Sequence, residues 1–169
     1  MGPSFSFVIS LAGPQTLADV FLVTRDAAVA SPPVSQDWIA PLPDSADPPW
    51  AVLWSRAADF VTAREDRVAA LSADFDTLTY RETAGNAQAA FWQRRRLFWS
   101  LSYRAGALTA RGNPPAAADL SAKLGAPLAL IGAETGLKID GGAVTGATQY
   151  FPLIEKPRSG LLARVLGRG

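Results

Sequence analysis

The stretch Ala90-Phe-Trp-Gln-Arg-Arg-Arg-Leu-Phe-Trp-Ser-Leu-Ser-Tyr103 decides how this chain is read. It sets Phe91, Trp92, Phe98 and Trp99 around three consecutive arginines and would fill about four helical turns. On a helix, Ala87, Phe91, Phe98, Leu101 and Ala105 share one face, with Trp92, Trp99 and Tyr103 on an adjacent one. The spacing predicts a helix from Thr83 or Gly85 to Tyr103, stopping before Gly106.

Upstream, Trp50, Leu53, Trp54, Ala57, Val61, Val68 and Leu71 also recur at helical intervals. Asp47 is placed to cap that segment, and Pro48-Pro49 suit its first turn. Two such helices, Trp50–Leu71 and 83–103, are expected to pack antiparallel as a hairpin.

Strands are expected at both ends of the chain. Phe5, Phe7, Ile9 and Leu11 alternate with Ser4, Ser6 and Ser10, the period of a half-buried strand. Leu17 to Thr24 is a second candidate, joined to the first through Gly13-Pro14. Asp140-Gly141-Gly142 is a turn signal between Leu137–Ile139 and Ala143–Ile154. Ala116 to Leu124 is expected as a short helix, and Pro127 to Ile131 as an apolar strand or its continuation. The resulting fold class is α+β: a helical hairpin packed on a small, mostly antiparallel sheet, in one domain over residues 1–156.

Two segments are expected to lie outside that core. Residues 30–49 contain six prolines, which fix φ and remove amide donors, so an extended arm is expected. Trp38, Ile39 and Leu42 within it should pin the segment onto the domain or onto a partner. Residues 157–169 form a basic amphipathic tail carrying Leu161, Leu162, Arg164 and Leu166, too short to hold a helix alone in water.

Composition narrows the function. The 169 residues include no cysteine and no histidine, which removes disulfides, thiol nucleophiles, imidazole bases and the usual zinc ligands. Neither glycine-rich stretch, Gly132–Gly136 or Gly141–Gly146, matches a phosphate-binding loop or a dinucleotide fingerprint. The acidic pairs Asp74/Asp76 and Glu65-Asp66 are expected at solvated turns and helix ends. Neither an enzyme, a cofactor nor a metal site is expected. No run of about 20 uncharged apolar residues marks a membrane span, and Asp19, Arg25 and Asp26 interrupt the start of the chain too early for a signal peptide. A cytoplasmic or virion location is the corresponding expectation.

The Arg94–Arg96 cluster admits two readings. With aromatics beside it, it resembles a surface for phosphates and stacked bases. Against this, successive helical residues point about 100° apart, so three arginines would fan out, and the net charge is only +1. The expectation is therefore a structural protein working through other protein subunits, as a homo-oligomer or within a larger assembly such as a bacteriophage particle. Trp38, Ile39, Trp92, Arg95, Trp99, Leu161, Leu162, Arg164 and Leu166 are its candidate contacts. A nucleic-acid-binding accessory protein using the Arg94–Arg96 segment is the alternative.

Overall fold

The computed structural model describes residues 4–43, 49–115, 124–140 and 142–155. Along them run strands β1 (Phe5–Ser10), β2 (Val23–Arg25), β3 (Trp38–Pro41), β4 (Ala51–Ser55), β5 (Thr77–Thr83) and β6 (Asn86–Gln93). β7 (Arg96–Arg104), β8 (Ala107–Gly112), β9 (Ile139–Asp140), β10 (Ala143–Val144) and β11 (Phe151–Glu155) follow. The helices are α1 (Gly13–Val20), α2 (Glu65–Leu71), preceded by a 3₁₀ turn at Thr62–Arg64, and α3 (Ala126–Thr135). Nine strands form one sheet in the order β2-β11-β3-β4-β1-β5-β6-β7-β8, every pairing antiparallel, while β9 and β10 make a separate small hairpin.

This overturns the helical hairpin on a small sheet. Residues 83–103 are the end of β5, all of β6 and most of β7. In the segment Trp50–Leu71 only the last third is helical, and Trp54 sits in β4. Aromatic-dense segments satisfy a 3.6-residue and a two-residue period at once, and Phe, Trp and Tyr fit a pleated surface better than a helix interior. On β6 and β7, Ala87, Ala89 and Phe91 pair with Tyr103, Leu101 and Trp99 along one face. The helical pattern there is a coincidence of spacing.

Other expectations shift as well. The first half of Leu17 to Thr24 is the end of α1, because Pro14 sits in the first helical turn, where its missing amide costs nothing, and only Val23 and Thr24 are in a strand, β2. Pro127 to Ile131 belongs to α3, which ends at Gly136 in the left-handed conformation (φ 76°). The proline-rich arm supplies β3, paired between β11 and β4. Pro41 lies beyond the reach of β11, which pairs only with Trp38 and Ile39, so no ladder bond is lost on that side. Asp140 does lead into a hairpin, β9–β10, but its return arm is only Ala143–Val144, and the far end of the expected Ala143–Ile154 arm is β11 of the main sheet. The helix expected at Ala116–Leu124 lies almost wholly outside the described residues.

β1 is the central strand, and its sequence explains why. All of it but Phe5 is buried, on both faces. One face carries Phe7 and Ile9 into a core shared with Trp38, Trp54, Tyr80, Leu101, Leu130 and Tyr150. The other carries Val8 into a core with Leu17, Phe21, Leu53, Val68 and Leu153. Helix α3 covers the first face over β5–β7, while α1 covers the second over β2–β4.

Buried serines are satisfied locally: Ser6 Oγ donates to the carbonyl of Ala57 at 2.6 Å and Ser10 Oγ to that of Asp76 at 3.2 Å. Each bond ties a loop to β1. Without them the buried hydroxyls would cost about 1–3 kcal/mol apiece.

A row of rings crosses this sheet. Trp38 and Trp54 stack at 5.6 Å, Trp54 meets Phe7 at 6.1 Å, and Phe7 meets Tyr80 at 5.0 Å. Phe5 adds a 4.3 Å stack on Trp54, and Tyr150 closes the row edge-on to Trp38 at 5.0 Å. The register puts these residues opposite one another across β3, β4, β1 and β5. Such pairs contribute about 0.5–1.5 kcal/mol each beyond burial. Burial pushes the Tyr80 hydroxyl pKa well above the tyrosine range, and the carboxylate of Glu82, which accepts its hydrogen bond, adds to the effect.

β5 to β8 form a meander with two-residue loops at Ala84-Gly85, Arg94-Arg95 and Ala105-Gly106. Arg94 and Arg95 have φ of 50° and 64°, as a type I′ turn requires, yet neither is glycine or asparagine. For an L-residue that conformation costs about 1–2 kcal/mol. Replacing the pair by Asn-Gly (R94N/R95G) is expected to raise unfolding stability by about 2 kcal/mol, read from urea denaturation midpoints. A helical segment would instead lose stability on gaining that glycine.

Candidate interaction surface at the two ends of the sheet

A long sheet has two edges, and the residues around them set what each can do. The far edge is β8, whose residues are exposed except for the half-buried Leu108. Arg104 and Ala107 flank a two-residue loop, so they form a hydrogen-bonded pair, and alternate pairs along β7–β8 do likewise. The amides of Leu108 and Ala110 therefore point outward. Among the described residues no strand pairs with that side.

Next to this edge, the pairing of β6 and β7 slips between Phe91 and Trp92. Phe98 is the extra residue, and the bulge leaves its ring 51% exposed, touching Phe91 edge-on at 6.1 Å. Leu97 is exposed beside it. The bulge also fixes Gly112, where a Cβ would lie 2.2 Å from the Phe98 carbonyl oxygen. Beyond Leu97 comes the turn, where Arg94, Arg95 and Arg96 are all exposed. The Arg95 amide donates to Ser72 Oγ at 3.1 Å and Gln93 Nε2 to Asp76 Oδ1 at 2.8 Å, which anchors the turn to the end of α2.

Charge is partitioned along the fold. Residues 86–112 hold Arg94, Arg95, Arg96, Arg104 and Arg111 and no acidic residue at all. At the opposite edge, β2, Asp19 and Asp26 are exposed. The guanidinium of Arg25, on β2, donates to Gln15 at 2.6 Å and lies 4.6 Å from the Phe151 ring centroid. This edge also carries exposed apolar side chains, Leu22 (51% exposed), Ile154 (48%) and Val29, on or beside the outermost pair β2–β11. The segment 86–112 is thus strongly basic within a near-neutral chain, with Asp76 and Glu65 the acids beside its Arg94–Arg96 turn.

Between α2 and the meander lies a shallow cleft of about 60 Å³ lined by Thr62, Glu65, Thr79, Gln88, Trp92 and Leu97. The indole Nε1 of Trp92 is buried beside it without an acceptor among the described residues. The cleft is large enough for a few waters but not for a metabolite. Among the described residues no three His, Cys, Asp or Glu side chains converge as metal ligands, and no helix is long and apolar enough to cross a membrane.

The residues singled out from sequence divide sharply. Trp38 and Ile39 lie in β3 at 2% and 0% exposure, and Trp99 is buried under α3, so all three supply the core. Trp92 is half-buried at the cleft, and Arg95 is at the exposed turn. Leu161, Leu162, Arg164 and Leu166 lie outside the described residues. Sequence reasoning missed Leu97, Phe98 and the β8 edge, together with Leu22 and Ile154. Alternation on β7 runs cleanly through Trp99, Leu101 and Tyr103 and fails at Phe98, the one local signal of the bulge.

Comparison with family models, with curated proteins and with solved structures finds no match to this chain.

Proposed function

We propose that this chain is a non-catalytic subunit of a larger assembly, working through protein–protein contacts at the two ends of its sheet. The observation that carries this is where the exposed large apolar side chains lie. Leu97 and Phe98 flank the β8 end, and Leu22, Val29 and Ile154 flank the β2 end. Monomeric proteins blunt their sheet edges with lysine, proline or short strands; β2 has only three residues, whereas β8 has six and a single charge, Arg111. A bacteriophage particle is one such assembly, and the arginine-rich, lysine-poor composition suits a GC-rich genome of that kind.

The absence of cysteine allows a clean test. Single cysteines at Leu22, Phe98 and, as a control, the 94%-exposed Val34 can be paired with a bifunctional crosslinker in the native cell. Protein adducts are expected from Leu22→Cys and Phe98→Cys and not from Val34→Cys. Equal labelling at all three positions, or no adducts at the two ends, would contradict the assembly role.

A second reading is favoured by one observation: the three arginines do not fan out around a helix but share an exposed turn beside the exposed ring of Phe98. That geometry suits a nucleic-acid backbone with a stacked base. It requires oligonucleotide affinity that drops at least tenfold between 50 and 200 mM salt, roughly what two to three released counterions produce. It also requires a shallower salt slope in Arg94→Gln/Arg95→Gln/Arg96→Gln. No binding at low salt removes this reading.

A further inference from the structure

We infer that copies of this chain join head to tail, the β8 edge of one against the β2 edge of the next, so that the sheet continues across the contact. The inference rests on the assembly role proposed above and names the partner as a second copy.

Main-chain geometry supplies both halves. On β8 the outward amides are those of Leu108 and Ala110. On β2, the Asp26 amide bonds the Pro152 carbonyl at 2.8 Å, so Asp26 and Thr24 face β11 while Val23 and Arg25 turn their main-chain groups away from it. Each edge offers donors and acceptors that an added strand satisfies.

Charge selects between the ways two copies can meet. A two-fold β8–β8 pairing would bring Arg104 and Arg111 of both copies together, with the Arg94–Arg96 turns nearby and no acidic residue in 86–112 to offset them. Like charges so placed disfavour the contact. The β2 end presents Asp19 and Asp26 against the single charge of Arg25, which its bonds to Gln15 and Phe151 hold in place but do not neutralise, so this end carries the acids that the β8 end lacks. It also offers Leu22 and Ile154 as apolar partners for Leu97 and Phe98. The complementary arrangement is therefore heterologous, and such contacts build rings or open filaments rather than closed dimers.

The test is sedimentation velocity of the full chain over a concentration series. Wild type is expected to grow in mass with concentration and to shrink again as salt rises. Ala110→Pro blocks β8 at an amide that makes no bond within the sheet. Leu22→Lys/Ile154→Lys puts positive charge at the β2 end on two exposed positions. Each variant alone is expected to be monomeric, and a 1:1 mixture to form a dimer, because each retains the end that the other lacks. Should Ala110→Pro lose its sheet signal in circular dichroism, Leu97→Glu/Phe98→Glu repeats the β8 block without touching the ladder.

A monomeric wild type at every concentration overturns the inference. So does a dimer of either variant alone, which would mean two-fold pairing, or a mixture that stays monomeric. Adducts at Leu22 and Phe98 in the cell, with a monomeric purified chain, would overturn self-pairing and leave the assembly role standing. Absence of those adducts takes down the role itself.

Discussion

Everything in this molecule hangs on β1 being sandwiched between β4 and β5, with Phe7 stacked between Trp54 and Tyr80. The pairing is long-range: Phe7 meets residues 47 and 73 positions away along the chain. Loop-closure entropy opposes such contacts, and the aromatic row offsets that cost by burying several large rings at one place. Once β1 is paired on both sides, β3 and β11 add on one flank and the meander β6–β8 on the other. The helices then fill the two faces. Remove the Phe7–Trp54–Tyr80 contact and neither flank has a template.

The same constraint explains why the interesting surfaces are at the ends. A sheet that grows outward from a buried centre leaves its last strands with one partner each. At the β6–β7 turn the chain adds strain, since Arg94 and Arg95 adopt left-handed conformations that glycine or asparagine would take more easily. The Arg95–Ser72 and Gln93–Asp76 hydrogen bonds hold this turn in place. Here it presents three arginines at a single exposed corner, beside the apolar pair released by the Phe98 bulge. Electrostatics and edge geometry therefore coincide at one end of the sheet, while the other carries Asp19 and Asp26 against Arg25.

Parts of this were legible in the amino-acid order. The Phe5–Leu11 alternation identified β1, although its burial on both faces was hidden by the serines, which satisfy their hydroxyls on loop carbonyls. Asp140 marked its hairpin. The meander was not legible because Phe91, Trp92, Phe98 and Trp99 fit a helix as well as a strand, and because Arg94-Arg95 carries none of the usual turn chemistry. Net charge also misled: a total of +1 conceals a segment of five arginines without an acid. Trp38 and Ile39 lie among prolines, so their order in sequence leaves open whether they pin the arm to the domain or to a partner; pairing between β11 and β4 places them in the core. In each case the deciding contact lies far away in sequence.

The most direct measurement is amide hydrogen exchange at low and high protein concentration. If the sheet is continued by neighbouring copies, β1 exchanges slowest at both concentrations, because its amides open only with the whole domain. The outward amides of Leu108 and Ala110 on β8, and of Val23 and Arg25 on β2, gain protection together as concentration rises. Protection that appears at one edge alone, or exchange at both edges that ignores concentration, would contradict head-to-tail pairing of the sheet.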